Sequence, residues 1–153
     1  MRRDDLPLLL GMSRENMSQI IRSSWGIDWS DEALLDVLVD RRATTEVLEV
    51  GRRPVGYICF EKRGHSLFIN SIQLEPGYQG LGLGRMMMER IEGYASNWSL
   101  ECVDLWVQVT NRRALGFYAH LGYELIMRRG NNYLMRKRIR KIGGRVGDVR
   151  ASA

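Results

Sequence analysis

Residues 79–85 read Gln79-Gly80-Leu81-Gly82-Leu83-Gly84-Arg85. This glycine run lies between an alternating apolar stretch and one whose apolar residues recur every three to four positions. Such a passage dictates a strand that turns directly into a helix, with bare backbone at the turn. N–H groups converging there, together with the positive end of the helix, favour an anion such as phosphate, and Arg85 adds a full charge. Two familiar phosphate loops do not fit. A Walker A loop needs Lys-Ser or Lys-Thr after its last glycine, and Arg85-Met86 stands there. A dinucleotide fingerprint needs its third glycine three places after the second, inside an early βαβ unit, whereas here three strands come first.

The rest of the chain frames that turn. Asp4 and Asp5 supply a cap before Leu6-Pro7, and Leu6, Leu9, Leu10, Met17, Ile20 and Ile21 give a first helix ending near Trp25-Gly26. Ser30 with Asp31 and Glu32 opens a second helix, which Leu34, Leu35, Val37 and Leu38 carry to about Asp40. Alternation then predicts antiparallel strands over 44–50, 55–61 and 65–75. In the third, apolar positions shift from odd (Leu67, Ile69) to even (Ile72, Leu74), which predicts a bulge near Asn70-Ser71. After the glycine run, Met87, Met88, Ile91, Tyr94, Ala95 and Trp98 mark a helix, and 101–110 a strand. Asn111 caps a short helix closed by Gly122, and a hairpin over 123–128 and 133–139 turns at Gly130-Asn131-Asn132.

Composition narrows the function classes. With 153 residues, 44% hydrophobic and 27% charged, the chain suits one folded domain, assigned to 1–140, with 141–153 as a loose basic tail. No apolar run nears the roughly 18 residues of a membrane span, so a cytoplasmic protein is expected. Cys59 and Cys102 sit singly in apolar stretches, far from His65 and His120, so buried thiols and no metal are expected. Nine of the 23 basic residues fall after position 127, against one of the 18 acids. That basicity is interleaved with a strand pattern and is assigned to a solvated face, with no nucleic-acid partner. A basic partner-binding end is the alternative, tested by deletion after Ile139.

Gln79, Gly82 and Gly84 meet the pattern Gln/Arg-x-x-Gly-x-Gly/Ala. Downstream, Asn111, Ala114, Phe117, Tyr118, Gly122 and Tyr123 meet Asn-x-x-Ala-x-x-Phe-Tyr-x-x-x-Gly-Phe/Tyr. On these two motifs the chain resembles the GNAT superfamily of acyl-CoA-dependent N-acyltransferases, with motif agreement over 72–123 and agreement in strand order over about 44–139. The resemblance implies an α/β (α+β) fold: a mixed, mostly antiparallel sheet of about six or seven strands, helices on both faces, and a splayed central parallel pair. It implies an acetyl-CoA cosubstrate and an amine acceptor, the latter a small molecule or a protein N-terminus or lysine. Ile72 and Leu74 would offer backbone groups to the pantetheine arm. Amides of Gln79, Gly80, Leu81, Gly82, Leu83, Gly84 and Arg85 would hold the pyrophosphate, and Asn111 and Ala114 would lie beside the pantetheine. A homodimer through an exposed strand edge is compatible with it.

The resemblance makes Tyr118 the general acid for the departing thiolate, set against a plain role as a core aromatic. A backbone N–H near Leu74 is the natural donor to the oxyanion. No base is inherited, because the position that carries a glutamate in some members is Phe68 here. Glu61, His65, Asn70, Glu75 and a water relay are the nearby alternatives, each side chain more simply a solvated strand position. Trp25-Gly26-Ile27-Asp28-Trp29 resembles a segment that walls the acceptor groove in a subgroup, so Trp25, Asp28 and Trp29 are candidate contacts against a packing role. The chain departs from the family in showing no strand before its first helix. A CoA-binding module without turnover is the rival function.

Overall fold

The computed structural model describes residues 1–140; the tail expected at 141–153 lies outside the described residues. Two helices open the chain, α1 (Leu6–Trp25) and α2 (Asp31–Leu38), followed by three strands, β1 (Thr44–Val50), β2 (Arg53–Arg63) and β3 (Ser66–Leu74). Then come α3 (Leu83–Asn97), β4 (Cys102–Gln108), α4 (Arg112–His120), β5 (Glu124–Arg129) and β6 (Asn132–Arg138). The strands form one sheet in the order β1-β2-β3-β4-β6-β5. Every neighbouring pair is antiparallel except β3 and β4. Among the described residues no helix is long and apolar enough to cross a membrane.

Alternation along β2 separates two cores. Ile58 and Phe60 face α3 and α4, where Met88, Ile91, Leu105 and Tyr118 join them. Tyr57 and Cys59 face the opening helices and meet Leu9, Met12, Leu34 and Leu38. Each fully buried aliphatic side chain contributes about 1.5–3 kcal/mol, so helices on both faces are what this two-sided pattern demands. Both cysteines are free and buried.

The bulge expected in β3 is present. Cys59 pairs with Ser71 and Phe60 with Ile69, leaving Asn70 as the extra residue. The inserted residue resets the alternation, so Ile72 and Leu74 pack on the same core as Leu67 and Ile69. It also ends the parallel pairing. β3 and β4 share only four residue pairs, Ser66 with Cys102 through Ile69 with Leu105, and diverge beyond them.

Two expectations are corrected. Asp5 does not cap α1 with its side chain. A 3-10 turn over Arg3–Asp5 already gives it helical backbone angles, and its carboxylate instead accepts from the Arg2 N–H at 2.6 Å. Glu61 and Glu75 are not solvated strand positions: Glu61 is buried and ion-paired with Arg63, and Glu75 pairs with Arg53 at 2.9 Å. β5 supplies an exposed edge, carrying Leu125, Ile126 and Met127 in the open. A bulge at Ile126 and the adjacent Arg128 and Arg129 are features that discourage edge-to-edge pairing.

Candidate functional site

The glycine turn has the backbone its sequence requires. Gly80 and Gly82 take φ of +75° and +83°, a region L side chains avoid, and a Cβ on either would meet nothing within 4 Å. α3 begins directly after Gly82 with no side chain capping it. The first-turn N–H groups of Leu83, Gly84 and Arg85 therefore lack intrahelical partners. Gly84 has a steric role, since a Cβ there would stand 3.2 Å from Phe117 Cζ, so α3 and α4 approach closely at this point. Arg85 pairs with Glu89 at 3.1 Å on the exposed rim. Leu81 is 68% exposed. Like Leu83, it does not line the groove that opens here.

That groove, of about 420 Å³, runs from Gly80, Gly82 and Arg85 along Leu74 and Ile72 to Tyr118. A second pocket of about 450 Å³ lies toward α2, walled by the diverging strands and by Asp28, Trp29 and Val37. Met17, Ile72, Gln73, Asn111, Ala114 and Tyr118 line both. The two cavities thus meet where β3 and β4 part, with Tyr118 at the junction.

Tyr118 packs as a core aromatic and also lines the site. Its ring packs edge-on against Phe117 and Tyr123, with centroids 5.2 and 5.8 Å away. It is only 7% exposed, yet it faces both cavities. Burial pushes its hydroxyl pKa well above the ordinary phenol value, so it stays protonated at neutral pH. Asn111 caps α4, its Oδ1 accepting from the Ala114 N–H at 3.2 Å.

Leu74 is held more tightly than the sequence indicates. Its carbonyl accepts from Asn16 Nδ2 at 2.7 Å and from Gln79 Nε2 at 3.0 Å. Both lone pairs of the Leu74 oxygen are thus engaged within the protein, which leaves its N–H as the backbone group open to a ligand. Glu75 N–H bonds Val55 across β2, so alternation turns the Leu74 and Ile72 N–H groups toward the slot. Asn16 was missed at the sequence level. Its signal was there: an amide in line with Leu9, Met12 and Ile20 on the apolar face of a helix.

The acceptor candidates divide. Asp28 and Trp29 line the second pocket, with Trp29 Nε1 donating to Asp31 at 2.6 Å. Trp25 is a packing residue outside that lining, its ring lying on Gly130, where a Cβ would be 2.9 Å from it. Of the candidate bases, Asn70 alone lines the pocket. Among the described residues no cluster of His, Cys, Asp or Glu is suited to a metal.

The sequence model of the acetyltransferase (GNAT) family matches residues 14–123, and the chain belongs to that family. An uncharacterized N-acetyltransferase of Methanocaldococcus jannaschii is 34% identical over 86 residues, covering 51% of this chain and 38% of that protein. The N-terminal acetyltransferase B complex catalytic subunit naa20 of Schizosaccharomyces pombe is 32% identical over 78 residues, covering 48% and 43%. The chain therefore matches less than half the length of these two relatives. In fold it is similar to the paia N-acetyltransferase from Thermoplasma acidophilum in complex with coenzyme A, with TM-score 0.70, 17% identity, and coverage of 90% and 95%.

Proposed function

We propose that this protein transfers the acetyl group of acetyl-CoA to an amine by direct attack on the thioester. The observation that carries this reading is the meeting of two cavities at Tyr118, one rimmed by the glycine turn and the other opening toward α2. In this reading the amides of residues 79–85 bind the pyrophosphate, and Ile72, Asn111 and Ala114 flank the pantetheine arm. The Leu74 N–H donates to the carbonyl oxygen as charge gathers on it. As the C–N bond forms and the C–S bond breaks, Tyr118 gives its proton to the departing sulfur, and the amine's proton leaves to water, which returns one to the phenolate. The cytoplasm is the compartment we assign, on the two unpaired buried cysteines.

Calorimetric titration with acetyl-CoA, followed by thiol release in the presence of amines, tests the reading. Micromolar binding with acceptor-dependent release is expected. Binding without release would favour a CoA-binding module, and absence of binding would remove the assignment.

The loop is tested separately. Gly82→Val should weaken acetyl-CoA binding by roughly two orders of magnitude, because a β-branched residue is strained at positive φ and its methyls would stand where phosphate oxygens approach the amides. Unchanged affinity in a variant with native circular dichroism would exclude the loop from the binding site.

A further inference from the structure

We propose that the acceptor is the α-amine at the N-terminus of a peptide chain, an inference that rests on the acetyl-transfer reading above. The pocket toward α2 must present an unprotonated amine to the thioester. Among its described lining residues Asp28 is the only carboxylate, with no histidine, lysine or arginine. Asp28 cannot serve as base: its side chain is 84% exposed and already ion-paired with Arg22 at 2.7 Å. The remaining polar lining is neutral: the Tyr118 phenol, two serines, and the amides Asn70, Gln73, Gln108 and Asn111.

A neutral pocket leaves the acceptor's own pKa to decide. Near pH 7.5 an α-amine of pKa about 7.8 is roughly one-third free base, whereas a lysine ε-amine of pKa about 10.4 is free in roughly one molecule per thousand. That alone favours an N-terminus over a lysine by a few hundredfold. The same neutrality discriminates among α-amines. A free amino acid would bring a carboxylate with no cation to meet it, and a polyamine would bring further ammonium groups to a pocket whose one carboxylate is taken. A peptide brings neither. Its amides find partners in the Asn and Gln side chains. They also find the edge of β4 past its last pair with β3, Ile69 with Leu105, where its backbone groups are released from pairing on that side.

The test compares four acceptors at saturating acetyl-CoA. The first is a set of lysine-free amidated peptides with Ala, Ser, Gly, Thr or Met first. The others are an Nα-acetylated peptide with one lysine, free alanine, and spermidine. At pH 7.5 at least one free-N-terminus peptide should exceed the other three classes by about 100-fold or more in kcat/KM. Its profile should rise with pH and level at the peptide's own α-amine pKa, shifting when the first residue changes that pKa. Comparable transfer to lysine, alanine or spermidine would overturn the acceptor assignment alone, as would a profile fixed by an enzyme group whatever the acceptor. Failure to bind acetyl-CoA, or binding with no transfer to any of the four, would instead overturn the acetyl-transfer reading beneath it.

Discussion

Tyr118→Phe is expected to lower kcat by roughly 10²- to 10⁴-fold, the usual worth of a positioned proton donor. The acetyl-CoA dissociation constant should change little. The ring edges against Phe117 and Tyr123 survive the substitution. Among the described residues the hydroxyl has no hydrogen-bond partner to lose, and burial alone shifts its pKa. Because that shift is upward, the phenol stays protonated through the alkaline range, and wild-type kcat should show no fall from its ionisation up to about pH 10. Thiol-release kinetics and calorimetry separate the two effects. A variant that turns over at the wild-type rate would leave Tyr118 as a core aromatic only.

The largest loss of stability is expected at Asp104→Ala. Asp104 is 6% exposed and lies on β4 directly opposite Arg136 of β6, whose guanidinium grips both carboxylate oxygens at 2.7 and 2.9 Å. Ser66 of β3 adds a hydrogen bond at 3.0 Å, so one carboxylate ties together three strands. Removing it leaves a partly buried cation uncompensated, which costs about 3–5 kcal/mol. Thermal unfolding should shift down by roughly 10 °C. Replacing both partners, Asp104→Leu with Arg136→Met, should recover much of that loss, since the apolar pair leaves no stranded charge. A single variant that melts like the wild type would show that the pair is neutral to stability.

Local patterning carried much of this fold. The parity change between Ile69 and Ile72 located the bulge at Asn70, and with it the point where β3 leaves β4. The glycine run marked the turn into α3, and Asn111 the cap of α4. What stayed hidden depends on partners distant in sequence. A hairpin pattern reads alike whichever strand docks, so the placement of β6 rather than β5 beside β4 was not legible. Glu61 and Glu75 alternate like solvated positions, and only their arginine neighbours in the fold show otherwise. Trp25 looks like a ligand contact until Gly130, more than a hundred residues later, is found beneath its ring.

The position of α1 has a consequence for how the two cavities relate. The helix is bonded to β2 through Ser13 and Tyr57, to β3 through Asn16 and Leu74, and to the end of β4 through Ser24 and Thr110. It therefore straddles the seam between the sheet's two halves as a rigid strut. Its inner side presents Ile20 to the groove beside the glycine turn, Ile21 to the pocket beside α2, and Met17 to both. Ile20 and Ile21, consecutive residues about 100° apart around the helix axis, thus line two different cavities. Groove and pocket therefore share one wall, and a change of side chain at Met17 reshapes both chambers at once.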